Sequence, residues 1–109
     1  MKQVNIPTIN TYRTEKGRII KDVPVRLCFR PDPKAMVRYG PFVVTVDGKD
    51  SYRIGGDDGI IVWCYPGHHD IMIQGNGIEL CHDQVDLKDD TIVHISVAGT
   101  FKKHIALDL

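Results

Sequence analysis

Apolar and polar positions alternate with period two along most of this chain. Val23, Val25, Leu27 and Phe29 fall on one side of an extended segment, with Pro24, Arg26, Cys28 and Arg30 on the other. That is the pattern of a half-buried strand. Pro31-Asp32-Pro33 ends it, because proline supplies no donor to a ladder. Phe42, Val44 and Val46 alternate with Val43 and Thr45, and Asp47-Gly48 follows as a hairpin turn signal. Ser51 to Ile54 reads as a short returning strand. Ile60 to Tyr65 is apolar or aromatic throughout, set between Asp57-Asp58-Gly59 and the turn Pro66-Gly67. His69, Ile71 and Ile73 then alternate with Asp70, Met72 and Gln74. Gly75-Asn76-Gly77 turns the chain into a brief strand, Ile78 to Cys81. His82 to Asp90 is polar, anchored only by Val85 and Leu87. Thr91, Val93, Ile95 and Val97 form another alternating run, and Ile105, Leu107 and Leu109 close the chain. About eight short strands, with turn signals roughly every 8–12 residues, predict an all-β fold: a single antiparallel β-sandwich or barrel. No window supports a long amphipathic helix.

The first 18 residues differ. Ile6, Ile9 and Tyr12 are spaced by three, but Pro7 and the Thr/Asn content disfavour a helix. Glu15-Lys16-Gly17-Arg18 reads as a turn. The expected organisation is an extended arm over residues 1–18, with room for one edge strand, and a sandwich domain over residues 19–109.

Composition narrows the function classes. At 109 residues the chain builds one core, and its 42% hydrophobic and 26% charged content is ordinary for a folded domain. Fourteen basic residues balance fourteen acidic ones. Nucleic-acid binding draws on a basic excess that is lacking here, so no nucleic-acid partner is expected. Arg26, Arg30, Lys34 and Arg38 could form a local basic patch, but read more simply as solvated side chains. No apolar run approaches the roughly 18 residues needed to span a bilayer, so no membrane partner is expected. Met1 to Pro7 lacks the apolar stretch of a secretory signal. Three cysteines, Cys28, Cys64 and Cys81, form no C-x-x-C pair and point to reduced thiols and cytoplasmic synthesis.

Candidate chemistry centres on His68-His69-Asp70. Adjacent strand residues point to opposite faces, so both histidines cannot ligate one ion from a regular strand. A mixed set of Cys64, His69 and Cys81 has usable residue types, but matches no tight ligand motif. Cys64 or Cys81 with His82 or His94 supplies the types for a nucleophile and base without a nucleophile elbow. Asp57-Asp58 and Asp89-Asp90 read as turn formers, and Gly55-Gly56 precedes no helix that would cradle a phosphate. No cofactor and no catalytic residue are assigned, and the protein is not expected to be an enzyme. Trp63 and Tyr65 share one face of their strand with Ile61, opposite Ile60, Val62 and Cys64. Apolar residues on both faces require that something cover the outer one, either a partner or the N-terminal arm.

The run Gly17-Arg18-Ile19-Ile20-Lys21-Asp22-Val23-Pro24-Val25-Arg26-Leu27, with its G-x-x-x-x-x-V-x-V-x-L spacing, resembles the opening of transthyretin-like and Ig-like β-sandwich modules. Carboxypeptidase regulatory-like domains and bacterial surface repeats are among these. Asp57-Asp58-Gly59 and Pro66-Gly67 resemble the hairpin of such modules. Asp47-Gly48-Lys49 and Pro66-Gly67-His68 are similar to the envelope modules named for their PEGA sequence. The likeness covers roughly residues 17 to 97 and consists mostly of turns. It implies a sandwich that serves as a noncatalytic spacer or docking module. Surface repeats often carry a Lys–Asn crosslink, but Asn5, Asn10 and Asn76 all lie outside the closing strand here, so the crosslink is not carried over.

The expectation is a noncatalytic structural or protein-binding module within a homo- or hetero-oligomeric assembly, such as a capsid decoration or tail accessory protein of a virion. Its partner-binding residues would be Trp63, Tyr65 and Ile61 on the aromatic strand, with Ile6, Ile9 and Tyr12 on the arm. The alternatives are a small metal-dependent barrel enzyme using His68, His69 and His82, and a sandwich that binds carbohydrate through Trp63 and Tyr65.

Overall fold

A computed structural model describes residues 1–7, 11–55, 59–97 and 105–108. Among these residues eleven strands and one short helix follow in order: β1 (Lys2–Val4), β2 (Thr11–Glu15), β3 (Arg18–Asp22), β4 (Val25–Pro31), α1 (Pro33–Tyr39), β5 (Phe42–Val46), β6 (Asp50–Ile54), β7 (Ile60–Cys64), β8 (Gly67–Gly75), β9 (Ile78–Leu87), β10 (Thr91–Val97) and β11 (Ile105–Asp108). Two sheets form the body. One has the order β1-β7-β4-β10-β11 and the other β6-β5-β8-β9, while β2 and β3 make a separate two-stranded sheet. The expected all-β sandwich is therefore present, and neither sheet closes into a barrel.

The alternating residues set the two inner faces. Leu27, Phe29, Ile60, Val62, Val93 and Ile95 come from the five-stranded sheet. Phe42, Val44, Ile54, Ile71, Ile73 and Leu87 come from the four-stranded one. All are essentially inaccessible to solvent and belong to one cluster. Strand β4 lies at the centre of its sheet, antiparallel to β7 with Leu27 opposite Val62, and parallel to β10 with Phe29 opposite Val93. In-register pairing puts the apolar sets of three strands on the same side, so the alternation in each sequence becomes one continuous surface.

Left-handed backbone residues close the tight hairpins. Lys16 and Gly17 (φ 51° and 74°) join β2 to β3, and Asn76 and Gly77 (φ 54° and 75°) join β8 to β9. Two central residues with positive φ match the twist of the flanking strands. Asp47 and Gly48 do the same between β5 and β6.

Four details depart from the sequence reading. The five-stranded sheet is mixed, because β1 runs parallel to β7 and β4 parallel to β10. Helix α1 occupies a stretch read only as a strand terminator. Asp32 caps it by accepting a hydrogen bond from the Lys34 amide at 2.8 Å, and Pro33 opens the first turn, a position where its missing N–H costs nothing. The polar run after Cys81 does not leave the sheet: β9 continues to Leu87, with Val85 and Leu87 buried against the core. The boundary expected between residues 18 and 19 falls at the head of β3, inside the β2–β3 hairpin, and residues 2–4 already belong to the main sheet.

Phe29 is fully buried on the central strand. Phe29→Ala should therefore cost about 3–5 kcal/mol in urea denaturation. Val37→Ala, on the exposed side of α1 at 89% accessibility, should stay within about 0.5 kcal/mol.

Candidate functional site

The outer face of β7 is covered from within the chain. Gln3 of β1 lies opposite Ile61, and its Oε1 accepts a hydrogen bond from the Trp63 indole Nε1–H at 3.0 Å. Asn5 turns the chain away at φ 56°, and its Nδ2 donates to the Trp63 carbonyl at 3.0 Å. On the other side, β4 places Arg26 opposite Trp63, with its guanidinium 5.8 Å from the ring centroid. Asp90, just before β10, holds that guanidinium: its carboxylate accepts from the Arg26 amide at 2.8 Å, from Nε at 3.0 Å and from the terminal nitrogen at 2.6 Å. These bonds from Arg26 pull the Asp90 pKa below its ordinary value. Trp63 is thus pinned between an amide and a clamped cation, and its polar atom already has a partner. At the same face the Cys28 thiol lies 3.5 Å from the sulfur of Met1.

Of the residues expected to bind a partner, the structure brings three together. Ile6, Trp63 and Tyr65 line a cleft of about 310 Å³ with Pro7 and Pro24. Ile61 is half-buried beside Gln3. Tyr12 stands elsewhere, 62% exposed on the β2–β3 hairpin. Ile9 lies outside the described residues.

The histidines separate as strand geometry requires. His68 points outward, with its ring 3.9 Å from Asp86. His69 points inward, on the same side as the buried Ile71 and Ile73, and lines a second cleft of about 200 Å³ with Asp47, Tyr52 and Cys64. Its Nδ1 is 2.6 Å from Asp47 Oδ2 and its Nε2 is 2.5 Å from the Tyr65 carbonyl oxygen. Both neighbours only accept hydrogen bonds, so satisfying both requires a proton on each ring nitrogen, the imidazolium form. Burial alone would push the pKa of His69 down. The bonds to Asp47 and to Tyr65 outweigh it, and the pKa is raised. Asp47 also accepts from the Asp70 amide at 2.9 Å and donates its own amide to the Asp70 carbonyl at 2.7 Å. Asp47 thereby ties the β5–β6 turn to the start of β8.

Cys64, His69 and Asp47 are the residue types of a nucleophile, a base and an orienting acid, but their electrostatics run the other way. His69 has both nitrogens engaged and its proton stabilised. Burial and then the charge of Asp47 push the Cys64 thiol up to about 11, which disfavours the thiolate that would be the nucleophile. Both directions favour a proton held on His69 beside a neutral Cys64 thiol. Nor do Cys64, His69 and Cys81 converge. Cys81 pairs with Ile73, four residues along β8 from His69, a separation of about 13 Å at the strand rise. On the outer face, His82 meets Asp70 at 2.7 Å and Glu79 at 3.3 Å. Its bond to Asp70 raises its pKa. Among the described residues no three His, Cys, Asp or Glu side chains are grouped to hold a metal ion.

Sequence reasoning missed Gln3, Asn5, the Arg26–Asp90 clamp and the Asp47–His69 latch. The clamp and the latch join residues 64 and 22 positions apart, and no local spacing signals such pairs. Comparison of the chain with family models, with curated proteins and with solved structures finds no match.

The raised pKa of His69 makes stability depend on pH with a definite sign. The folded state binds the proton more tightly than the unfolded chain. The contribution is therefore fully present below the ordinary histidine value of about 6.5 and is lost as pH rises through the raised folded value. Asp47→Asn keeps a residue that tolerates the left-handed turn but removes the charge. It should cost about 1–3 kcal/mol below pH 6.5 and flatten the slope of stability from neutral pH upward, as read by chemical denaturation. A slope equal to that of the unsubstituted protein would contradict the latch.

Proposed function

We propose that this protein is a noncatalytic structural module that binds protein within an assembly, and that the β2–β3 hairpin is the element that engages the partner. One observation carries the reading. The hairpin packs chiefly on itself and joins neither main sheet, yet it displays Tyr12 and Ile19 at 62% and 79% exposure. The register puts these two on one face, since Thr14 pairs with Ile19 and Tyr12 with Lys21. An isolated two-stranded hairpin is marginal in water, and contact with another surface would give its apolar face the burial that the described residues do not provide. The molecule extends 50 Å in its longest dimension, with a radius of gyration of 15.0 Å, against about 13 Å for a compact domain of this size.

The transthyretin-like and Ig-like resemblance points in the same direction, since such modules act as spacers and docking units. A virion role of the capsid decoration or tail accessory kind is one setting that suits a charge-balanced sandwich with a projecting hairpin. The aromatic cleft is a weaker candidate for the contact, because Gln3, Asn5 and Arg26 already engage Trp63.

A photo-crosslinking residue at Ile19 should form a discrete protein adduct in the cells that make this protein. The same residue at Val37, equally exposed on α1, should not. Absence of a discrete adduct at Ile19, or equal labelling at both positions, would remove the hairpin from the contact. Ile19→Asp should abolish the association while changing folding stability by no more than about 0.5 kcal/mol.

A further inference from the structure

Among the described residues, a second feature complements the hairpin. Strand β9 is ten residues long and lies at the edge of the four-stranded sheet, where it bonds only to β8 among the described residues, although β11 of the other sheet lies near part of it. Long exposed edges are ready templates for a further strand. Segment 78–90, which is β9 and the turn after it, holds Glu79, Asp83, Asp86, Asp89 and Asp90 against Lys88 and His82, with Asp90 already paired to Arg26. The hairpin has the opposite balance: Arg13, Lys16, Arg18 and Lys21 against Glu15 and Asp22. Lys16, Arg18 and Lys21 are all exposed, as are Glu79, Asp86 and Asp89.

We propose that the hairpin of one copy docks along the β9 edge of a second copy and extends its four-stranded sheet. The proposal rests on the hairpin reading above and names its partner. Main-chain hydrogen bonds would supply the affinity of an added strand, and the opposite charges would select the edge and steer the encounter. Charge also argues against the symmetric alternatives. Hairpin on hairpin would bring basic rows together, and β9 on β9 acidic ones. The remaining described edges of the two main sheets are less suited: β1 is three residues long, β11 four, and β6 balances Asp50 with Arg53. A contact of hairpin with β9 edge is either reciprocated, which closes a two-fold dimer, or passed on head to tail into a ring or a filament.

Sedimentation velocity over a concentration series tests this with the full chain. The unsubstituted protein should form concentration-dependent oligomers at about 0.1 M salt that weaken at about 1 M, where screening is short-ranged. Two charge-reversed variants carry the decisive comparison: Arg18→Glu with Lys21→Glu on the hairpin, and Glu79→Lys with Asp86→Lys on β9. All four positions are exposed, and circular dichroism confirms that each variant folds. Each variant alone should associate at least about tenfold more weakly. An equimolar mixture of the two should recover association, because every hairpin then finds an edge of opposite charge. Recovery supports the proposal. Association unaffected by either reversal, or not regained in the mixture, overturns β9 as the acceptor. A protein that stays monomeric up to its solubility limit overturns the second copy as the partner. The Ile19 crosslink separates that failure from failure of the hairpin reading: an adduct to a different protein keeps the hairpin as the contact and excludes self-assembly, whereas no adduct removes both.

Discussion

The structure depends on the mutual burial of two apolar faces, and above all on β4. This strand is bonded on both sides, to β7 and to β10, and its Val25, Leu27 and Phe29 lie over the inner face formed by β5 and β8. Protein interiors are packed as densely as crystals, so the rows of side chains on the two sheets constrain one another. A strand whose register slipped by one residue would turn its apolar row to water. The pairings of β7 and β10 are therefore set as much by the sheet opposite as by their own hydrogen bonds. The parallel β4–β10 pair follows from this. Val93 and Ile95 reach the core beside Phe29 and Pro31, and the chain arrives there after passing through the opposite sheet.

With the core in place, the ends of the sandwich are held by polar contacts. Asp90 grips Arg26 across the start of β4 and β10, Arg26 lies over Trp63, and Gln3 and Asn5 secure the far side of the indole. At the opposite sheet, Asp47 joins the β5–β6 turn to β8 and holds the His69 proton against the Tyr65 carbonyl. These groups are polar or charged, and each is engaged by a partner within the chain. Every buried side-chain nitrogen and oxygen among the described residues has a hydrogen-bond partner. What the described chain leaves unsatisfied is of another kind: strand edges, and the apolar face of a hairpin. That is why the proposed function is assembly and why its contact lies away from the histidines.

The aromatic strand shows how far a sequence can carry such a reading. Apolar residues on both faces of Ile60 to Tyr65 required a cover for the outer face, and the alternation separated His68 from His69. Both inferences concern neighbours along one strand. The identity of the cover did not follow, because Gln3 and Trp63 are 60 positions apart and a glutamine carries no hydrophobic signal. Helix α1 was legible in principle, since Asp32 and Pro33 form an N-cap and first-turn pair. Pro31 ends β4, and Pro33, which reads in sequence as part of the same stop, opens the helix.

Sequence alone determined the period-two alternation, the left-handed hairpin turns at Gly17, Gly48 and Gly77, and so an all-β chain with a single core. These are local properties, set by side-chain direction and by the φ angles that glycine and asparagine accept at little cost. Tertiary structure alone decided which strands are neighbours, that two pairings run parallel, and that Asp90 and Asp47 clamp residues far from them in the chain. It also decided that the first residues join the main sheet while the following hairpin stands apart. The physical reason is the same in each case. Sheet order and long-range ion pairs are settled when whole faces compete for burial, and that competition has no signature within a window of neighbouring residues.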